Sequence, residues 1–316
     1  MNQIREIDPP GTPMTRYARG GWHCLGLAED FRDGKPHGIN AFGGKLVVYA
    51  DTKGDIHVLD GYCRHLGADL AMGTVKGDNL ACAFHDWRWN GATGRCVEIP
   101  YARRVPKLAR TRKYQTIEVN GQLLMWHDPE GSTPSPELTP PPTIEGYDEG
   151  KWSKWAWNSI VIEGAHCREI VDNNVDMAHF FYIHYAYPPT FFKNVFEGHT
   201  ASQYMESKGR QDFTEHPERL WEGTKLRSEA TYFGPSYMIN WLHNDLGPDF
   251  TVESVLINCH YPIDQKLVHA AVRCFGAEHA GGAVRREGGQ ARAVVFEDLR
   301  GRLPAGRGDL EAQDPD

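Results

Sequence analysis

Four metal-binding side chains sit in two short arms of this chain. The first is Cys63-Arg64-His65 and the second, after sixteen intervening residues, is Cys82-Ala83-Phe84-His85. Each arm carries one thiol and one imidazole. That arrangement lets the four donors divide a two-iron, two-sulfur cluster so that one iron takes both sulfurs and the other both histidines. A structural zinc ion also accepts two cysteines and two histidines, but zinc fingers usually keep the cysteines on one arm and the histidines on the other. Gly67 and Gly73 permit tight loop turns that bring backbone amides toward the cluster. Trp87 and Trp89 wall the second loop, or belong to an ordinary core.

At 316 residues and 40% apolar content, the chain is a globular protein of one large or two medium domains. A net charge of −8 argues against a nucleic-acid partner, which calls for a basic surface. No run of about 18 apolar residues offers a membrane span, and the N-terminus has no apolar signal region. Of seven cysteines, the five outside the arms are scattered singly, which fits a reducing, cytoplasmic setting.

Residues 1–14 read as an arm. From there to residue 130 short apolar runs recur. Lys45–Ala50 and Ile56–Leu59 flank the turn Asp51–Gly54, and Tyr114–Val119 and Leu123–Trp126 flank Asn120-Gly121, a strong hairpin signal. Residues 15–130 are therefore expected to form an all-β domain with the two arms at its tip. Residues 131–148 form a proline-rich linker. Residues 149–265 read as a second domain, with a strand at Ser159–Glu163, a helix over Cys167–Ile183, and strands at Glu229–Trp241 and Val252–Tyr261. The expected class is α+β, an antiparallel sheet covered by helices.

The helical segment contains Asn173, Asp176, His179 and His184. Asp176 and His179, three apart, are expected on one helix face. His179 and His184 suit two legs of a two-histidine, one-carboxylate site for Fe(II), which leaves positions open for O₂. A histidine among aromatics is also a common core residue. Tyr232, Met238 and Asn240 share strand parity, so they can face one surface, with Asn258 joining from the next strand. An apolar ligand needs such a cleft with a few polar anchors; plain sheet packing explains the same residues.

The run Cys82–Asn90 resembles the Rieske domain of the ring-hydroxylating oxygenases. The pattern Asn173, Asp176, His179, His184 is that family's mononuclear-iron motif. Phe192–Tyr204 and Val252–Pro262 are similar to the oxygenase component of 3-ketosteroid 9α-hydroxylase, and the resemblance runs from about Met14 to Asp264. It implies an N-terminal Rieske domain and a helix-grip catalytic domain, with one [2Fe–2S] cluster, one mononuclear Fe(II), and O₂ as co-substrate. It also implies a homotrimer in which Asp176 bridges His179 to His85 of the partner subunit. The reaction would be C9 hydroxylation of a 3-ketosteroid, fed by an NADH-dependent flavin and iron–sulfur reductase. Another polycyclic or aromatic substrate, or a non-catalytic electron-transfer subunit, stands as the alternative.

The family's third iron ligand is a carboxylate on a C-terminal helix. Here residues 266–316 depart in character: after Lys266 there is no Ile, Trp, Tyr, Met, Lys, Ser, Thr or Asn, and Ala, Gly and Arg dominate. Plausible codons for Leu303–Asp316, regrouped by one base, read Phe-Leu-Gln-Asp-Val-Glu-Ile-Trp-Lys-His-Lys-Thr-Arg, like the family's ligand helix. A frameshift near Asp264–Lys266 is the expectation, with the ligand codon straddling Gly306 and Arg307. Nothing marks Glu297, Asp298 or Asp309 as substitutes. On this reading the tail is aberrant and disordered, the third ligand is absent, and the literal chain is inactive and poorly stable.

Overall fold

The computed structural model describes residues 20–136, 138–147, 152, 156–182, 189–208, 225–247, 250–264 and 267–276. Three small antiparallel sheets make up its first part. One contains β1 (Gly21–Leu27), β11 (Gln122–His127) and β10 (Thr116–Val119) in that order. The second contains β2 (His37–Ala41), β3 (Gly44–Ala50), β4 (Ile56–Asp60) and β9 (Lys113–Tyr114). The third, which carries the arms, contains β5 (Thr74–Lys76), β6 (Asn79–Ala81), β7 (Arg88–Asn90) and β8 (Cys96–Glu98).

Both expected hairpins form, each for a local reason. The carboxylate of Asp51 accepts from the amides of Lys53 and Asp55 and so closes the β3–β4 turn. Asn120 and Gly121 take φ of +53° and +69°, the left-handed pair that matches the twist of β10 and β11.

The second part is one antiparallel sheet with seven strands among the described residues. Their order is β12 (Ala156–Glu163), β18 (Leu267–Gly276), β17 (Phe250–Pro262), β16 (Tyr237–Gly247), β15 (Lys225–Phe233), β14 (Thr200–Lys208) and β13 (Phe191–Glu197). Two expectations need correction. Glu229–Trp241 is not continuous strand: Gly234, at φ +75°, and Pro235 break it into the β15–β16 hairpin. The boundary at residue 265 also falls inside the sheet, because Leu267–Gly276 pairs with both β12 and β17. That strand is drawn from the stretch whose composition set it apart, and residues 277–316 lie outside the described residues.

Alternation along β16 and β17 joins the two parts. Tyr237, Ile239, Val255, Ile257 and Cys259 share one face and are buried against Trp22, Cys24, Leu124 and Trp126 of β1 and β11. The proline-rich linker joins the same core. Its Ile144 is 2% exposed, the Ile144 amide donates to Asn120 Oδ1, and Asn120 Nδ2 donates to the Pro142 carbonyl. Among the described residues no helix is long and apolar enough to cross a membrane.

Three histidines are buried where β1, β11 and β17 meet: His23, His127 and His260. The Phe42 ring stacks on His127 at 3.7 Å and meets His23 edge-on at 4.9 Å. Loss of hydration drives all three down, His23 to about 3 and His127 and His260 to about 4. For His23 the neighbouring imidazoles push the same way. The unfolded chain takes up these protons near the ordinary value of 6.5, where the folded chain still refuses them. Stability is therefore complete above about pH 6.5 and falls as pH drops toward 4. Thermal unfolding between pH 7.5 and 4 should show a midpoint that declines through this window, with a shallower decline in His23→Leu. An equal slope in the variant would exclude these histidines as its source.

Candidate metal centres

The two arms close in the same way. In the first, the Cys63 amide donates to the Ala68 carbonyl and the Gly67 amide to the Cys63 carbonyl, both at 2.8 Å. In the second, the Cys82 amide donates to Trp87 at 3.0 Å and the Asp86 amide returns to Cys82 at 2.9 Å. Each turn needs a left-handed residue, Gly67 at φ +75° and Asp86 at φ +50°. Asp86 is held there by ion pairs with Arg88 and Lys76, which also keep its carboxyl below the usual range. The other expected turn glycine has a different duty. Gly73 is extended (φ −82°, ψ −163°), and a Cβ on it would lie 2.2 Å from the carbonyl oxygen of Ala81, the residue before Cys82. Its lack of a side chain lets one arm rest on the other.

Within this frame the donors gather in pairs. Cys63 and Cys82 are 3% and 4% exposed and lie in one buried cluster. Burial pushes the Cys63 thiol up, so a thiolate there requires a cation beside it. The His65 and His85 rings stand 4.8 Å apart. His65 Nδ1 is buried without a hydrogen-bond partner, the position in which a metal satisfies it. Trp87 does wall the site, stacked on His65 at 4.5 Å and 9°, while Trp89 is fully buried in the core around the thiols. Among the described residues no three His, Cys, Asp or Glu groups converge on one point. A thiol pair beside an imidazole pair fits two irons, one to each pair.

The second motif lies against the large sheet. Helix α1 (Cys167–Asp172) begins with a capping box between His166 and Glu169. A 3-10 turn, Asn173–Val175, follows, and α2 (Ala178–Tyr182) comes after it. The expected continuous helix is thus interrupted at Asp176, which is extended at φ −86° and ψ 105°. The interruption comes from Asn174, missed in the sequence reading. It is 7% exposed and its Nδ2 donates to the carbonyls of Ala201 and Ala230, tying the turn to β14 and β15.

Asp176 accepts the Ala178 amide at 2.9 Å and leaves its side chain 51% exposed. His179 Nδ1 bonds to the Asp176 carbonyl, a partner that selects the tautomer with a lone pair on Nε2 for a metal. Asn173 is exposed beside them, and His184 lies outside the described residues.

The four expected cleft residues share a face, opposite to the one that meets β1 and β11. Tyr232 pairs with Met238, Met238 with Asn258, and Asn240 with Ala230. Tyr232 and Met238 are buried in a cluster against which Val171 of α1 packs. Asn258 Oδ1 is buried with no hydrogen-bond partner, and Asn240 Oδ1 accepts from Ser228 at 2.8 Å. The same face carries Gln203, 1% exposed with Nε2 unpartnered, opposite Asn194. Strand parity, applied to β13 and β14, was the available signal for both.

The two glycines should separate in a reconstitution experiment. Gly73→Ala drives a methyl into fixed backbone, so most cluster absorbance per chain should be lost. Gly67→Ala meets open space and costs only about 1 kcal/mol of backbone strain, so it should retain most of it.

Comparison with known proteins agrees with this division. Residues 21–109 match the Rieske [2Fe–2S] domain and residues 125–296 match the 3-ketosteroid 9α-hydroxylase C-terminal domain. A 3-ketosteroid-9-alpha-monooxygenase oxygenase component from Rhodococcus rhodochrous is 61% identical over 261 residues, covering 83% of this chain and 65% of that protein. The corresponding protein from Mycobacterium tuberculosis is 58% identical over 262 residues, covering 83% and 66%. The chain thus spans about two thirds of the length of these relatives. In fold it is similar to dicamba monooxygenase bound to 3,6-dichlorosalicylic acid, with TM-score 0.70, 16% identity, and coverage of 91% of this chain and 84% of that one. By both domain matches and by the identity to its relatives, this chain belongs to the family of Rieske-type 3-ketosteroid 9α-hydroxylase oxygenase components.

Proposed function

We propose that this chain is the oxygenase component of a two-component monooxygenase that places one oxygen atom of O₂ at C9 of a 3-ketosteroid. The observation that carries the reading is the coexistence of paired thiols and imidazoles with the His179 motif, in a chain 61% identical to such a component. Cys63 and Cys82 would hold one iron of the cluster and His65 and His85 the other; His179 and His184 would hold the mononuclear Fe(II). Bound there, the two groups supply single electrons and O₂ binding. Cys63, Cys82, Cys96 and Cys167 take part in no disulfide, which supports a cytoplasmic setting.

The remaining residues bind and orient. Tyr232 and Met238 would give a steroid an apolar floor, and Asn240 and Asn258 polar anchors, the balance such a ligand needs. Asp176, exposed beside His179, would take a hydrogen bond from His85 of the partner subunit. Leu66, Met72 and Phe84 are exposed around the cluster arms, and Val175, Met177 and Tyr182 around Asp176. Two different apolar surfaces on one chain suit a head-to-tail ring, here a trimer. An NADH-dependent reductase with flavin and iron–sulfur groups would supply the electrons.

A second reading, a non-catalytic electron-transfer subunit, is favoured by one observation: no carboxylate in the stretch after Asp264 stands in a ligand context. We infer that this stretch reflects a one-base frameshift, which sequencing the coding DNA across codons 260–320 will reveal or exclude. Iron analysis separates the two states. The literal chain should bind about two irons, those of the cluster, and the frame-restored chain about three. Wild-type-like turnover by the literal chain would overturn the missing-ligand reading.

With the frame restored, a matched reductase, NADH and androst-4-ene-3,17-dione should yield a product heavier by one oxygen. A product hydroxylated elsewhere, or turnover only with another polycyclic, would reassign the substrate. In that protein Asp176→Asn should keep both iron sites filled and lower turnover by about 10–100-fold, the usual effect of losing a ligand-orienting carboxylate.

A further inference from the structure

Residues 101–112 form a strap across the core that buries the cluster thiols. The Cys96 amide donates to the Ala109 carbonyl and the Thr111 amide to the Gly94 carbonyl, pinning the strap to the end of the third sheet. Val105 and Ala109 point inward, against the cluster of buried residues that includes Cys63 and Cys82. The outer side is different. Arg103, Arg104, Lys107 and Arg110 are exposed, joined by Arg95 just before β8, and Leu108 among them is 91% exposed. None of the five cations makes an ion pair among the described residues. Arg95 and Arg110 even stand directly opposite each other in a bridge, an arrangement that costs stability when nothing neutralises it. This happens in a chain whose net charge is −8.

The strap also touches the imidazole side of the cluster site. Tyr101, 65% exposed, accepts a hydrogen bond from Trp87 Nε1 at 2.8 Å, and Trp87 stacks on His65 at 4.5 Å. A continuous contact of Tyr101, Trp87 and His65 thus runs from the cationic surface to a cluster ligand.

We propose that this strap is the docking surface for an acidic one-electron donor protein, which delivers electrons along the Tyr101–Trp87 contact. The first domain exposes two groups of side chains of opposite chemistry. Obligate subunit contacts are the more apolar kind, which fits Leu66, Met72 and Phe84; electron-transfer encounters are small, brief and electrostatically steered, which fits the strap. The assignment rests on the functional reading only in treating the cluster as a one-electron acceptor. One electron would leave the donor, whose reduced [2Fe–2S] centre would return to two ferric irons, and a cluster held by Cys63, Cys82, His65 and His85 would accept it, one of its ferric irons becoming ferrous. No bond is made or broken and no proton need move.

A plant-type [2Fe–2S] ferredoxin is an acidic donor of lower potential than Rieske centres and serves as the probe. With the cluster-loaded full chain at low salt, Arg103→Glu combined with Arg104→Glu should slow bleaching of the cluster by pre-reduced ferredoxin at least about 10-fold. Binding of oxidised ferredoxin should weaken in step and lose most of its salt dependence. Bleaching by dithionite and the light-scattering mass should not change.

An unchanged ferredoxin rate overturns the proposal. So does a change in mass, which would make the strap a contact between copies. Should the double variant not fold, the single variant Lys107→Glu and a salt titration of the unaltered chain decide, and a rate indifferent to salt overturns it. No readout involves steroid or the mononuclear iron, so failed hydroxylation with intact ferredoxin kinetics would sink only the functional reading.

Discussion

The period of two along a β-strand governs this molecule. On β16 and β17, one parity of side chains is committed to the core shared with β1 and β11, and the other to the face on which Val171 of α1 packs. A shift of pairing by one residue would put Met238 and Asn258 into the interdomain core and Tyr237 and Ile257 onto the opposite face. The sheet thus acts as a partition: the arm-bearing domain is bonded to one side, and the His179 motif is hung on the other through Asn174.

The cluster site shows how weakly constrained donors become a defined set. Neither thiol nor imidazole is directed by long-range forces; each is placed by a five-residue backbone turn and by the shelf where Gly73 lies on Ala81. The surrounding core, with Leu70, Leu80 and Trp89 essentially without exposure, removes water from the sulfur side. The histidine side stays nearer the surface. That asymmetry suits a centre whose two irons differ in charge and hydration.

Much of this was readable in one dimension. The two arms declare their chemistry by residue type, and the hairpins at Asp51 and Asn120-Gly121 by turn residues whose conformations few others adopt. Strand parity predicted the common face of Tyr232, Met238, Asn240 and Asn258, which the pairing register reproduces. What could not be read was decided by distant backbone. The helix through Asp176 is broken without glycine or proline, because Asn174 answers to carbonyls of Ala201 and Ala230. Leu267–Gly276 becomes a strand in spite of its composition, because β12 and β17 leave a place between them. The strap's significance was hidden because an arginine looks ordinary until its opposite number is also arginine.

The linker has one more implication. A proline-rich connector is normally read as a tether that sets a separation, yet here Ile144 is inserted into a core to which both domains contribute. That socket does not exist until β1, β11, β16 and β17 have met. The connector is therefore a latch that can engage only after assembly of the two parts, and its susceptibility to a protease becomes a gauge of their registration. A chain cut readily near residue 144 has domains that are folded but not joined. One that resists there has the two sheets locked together.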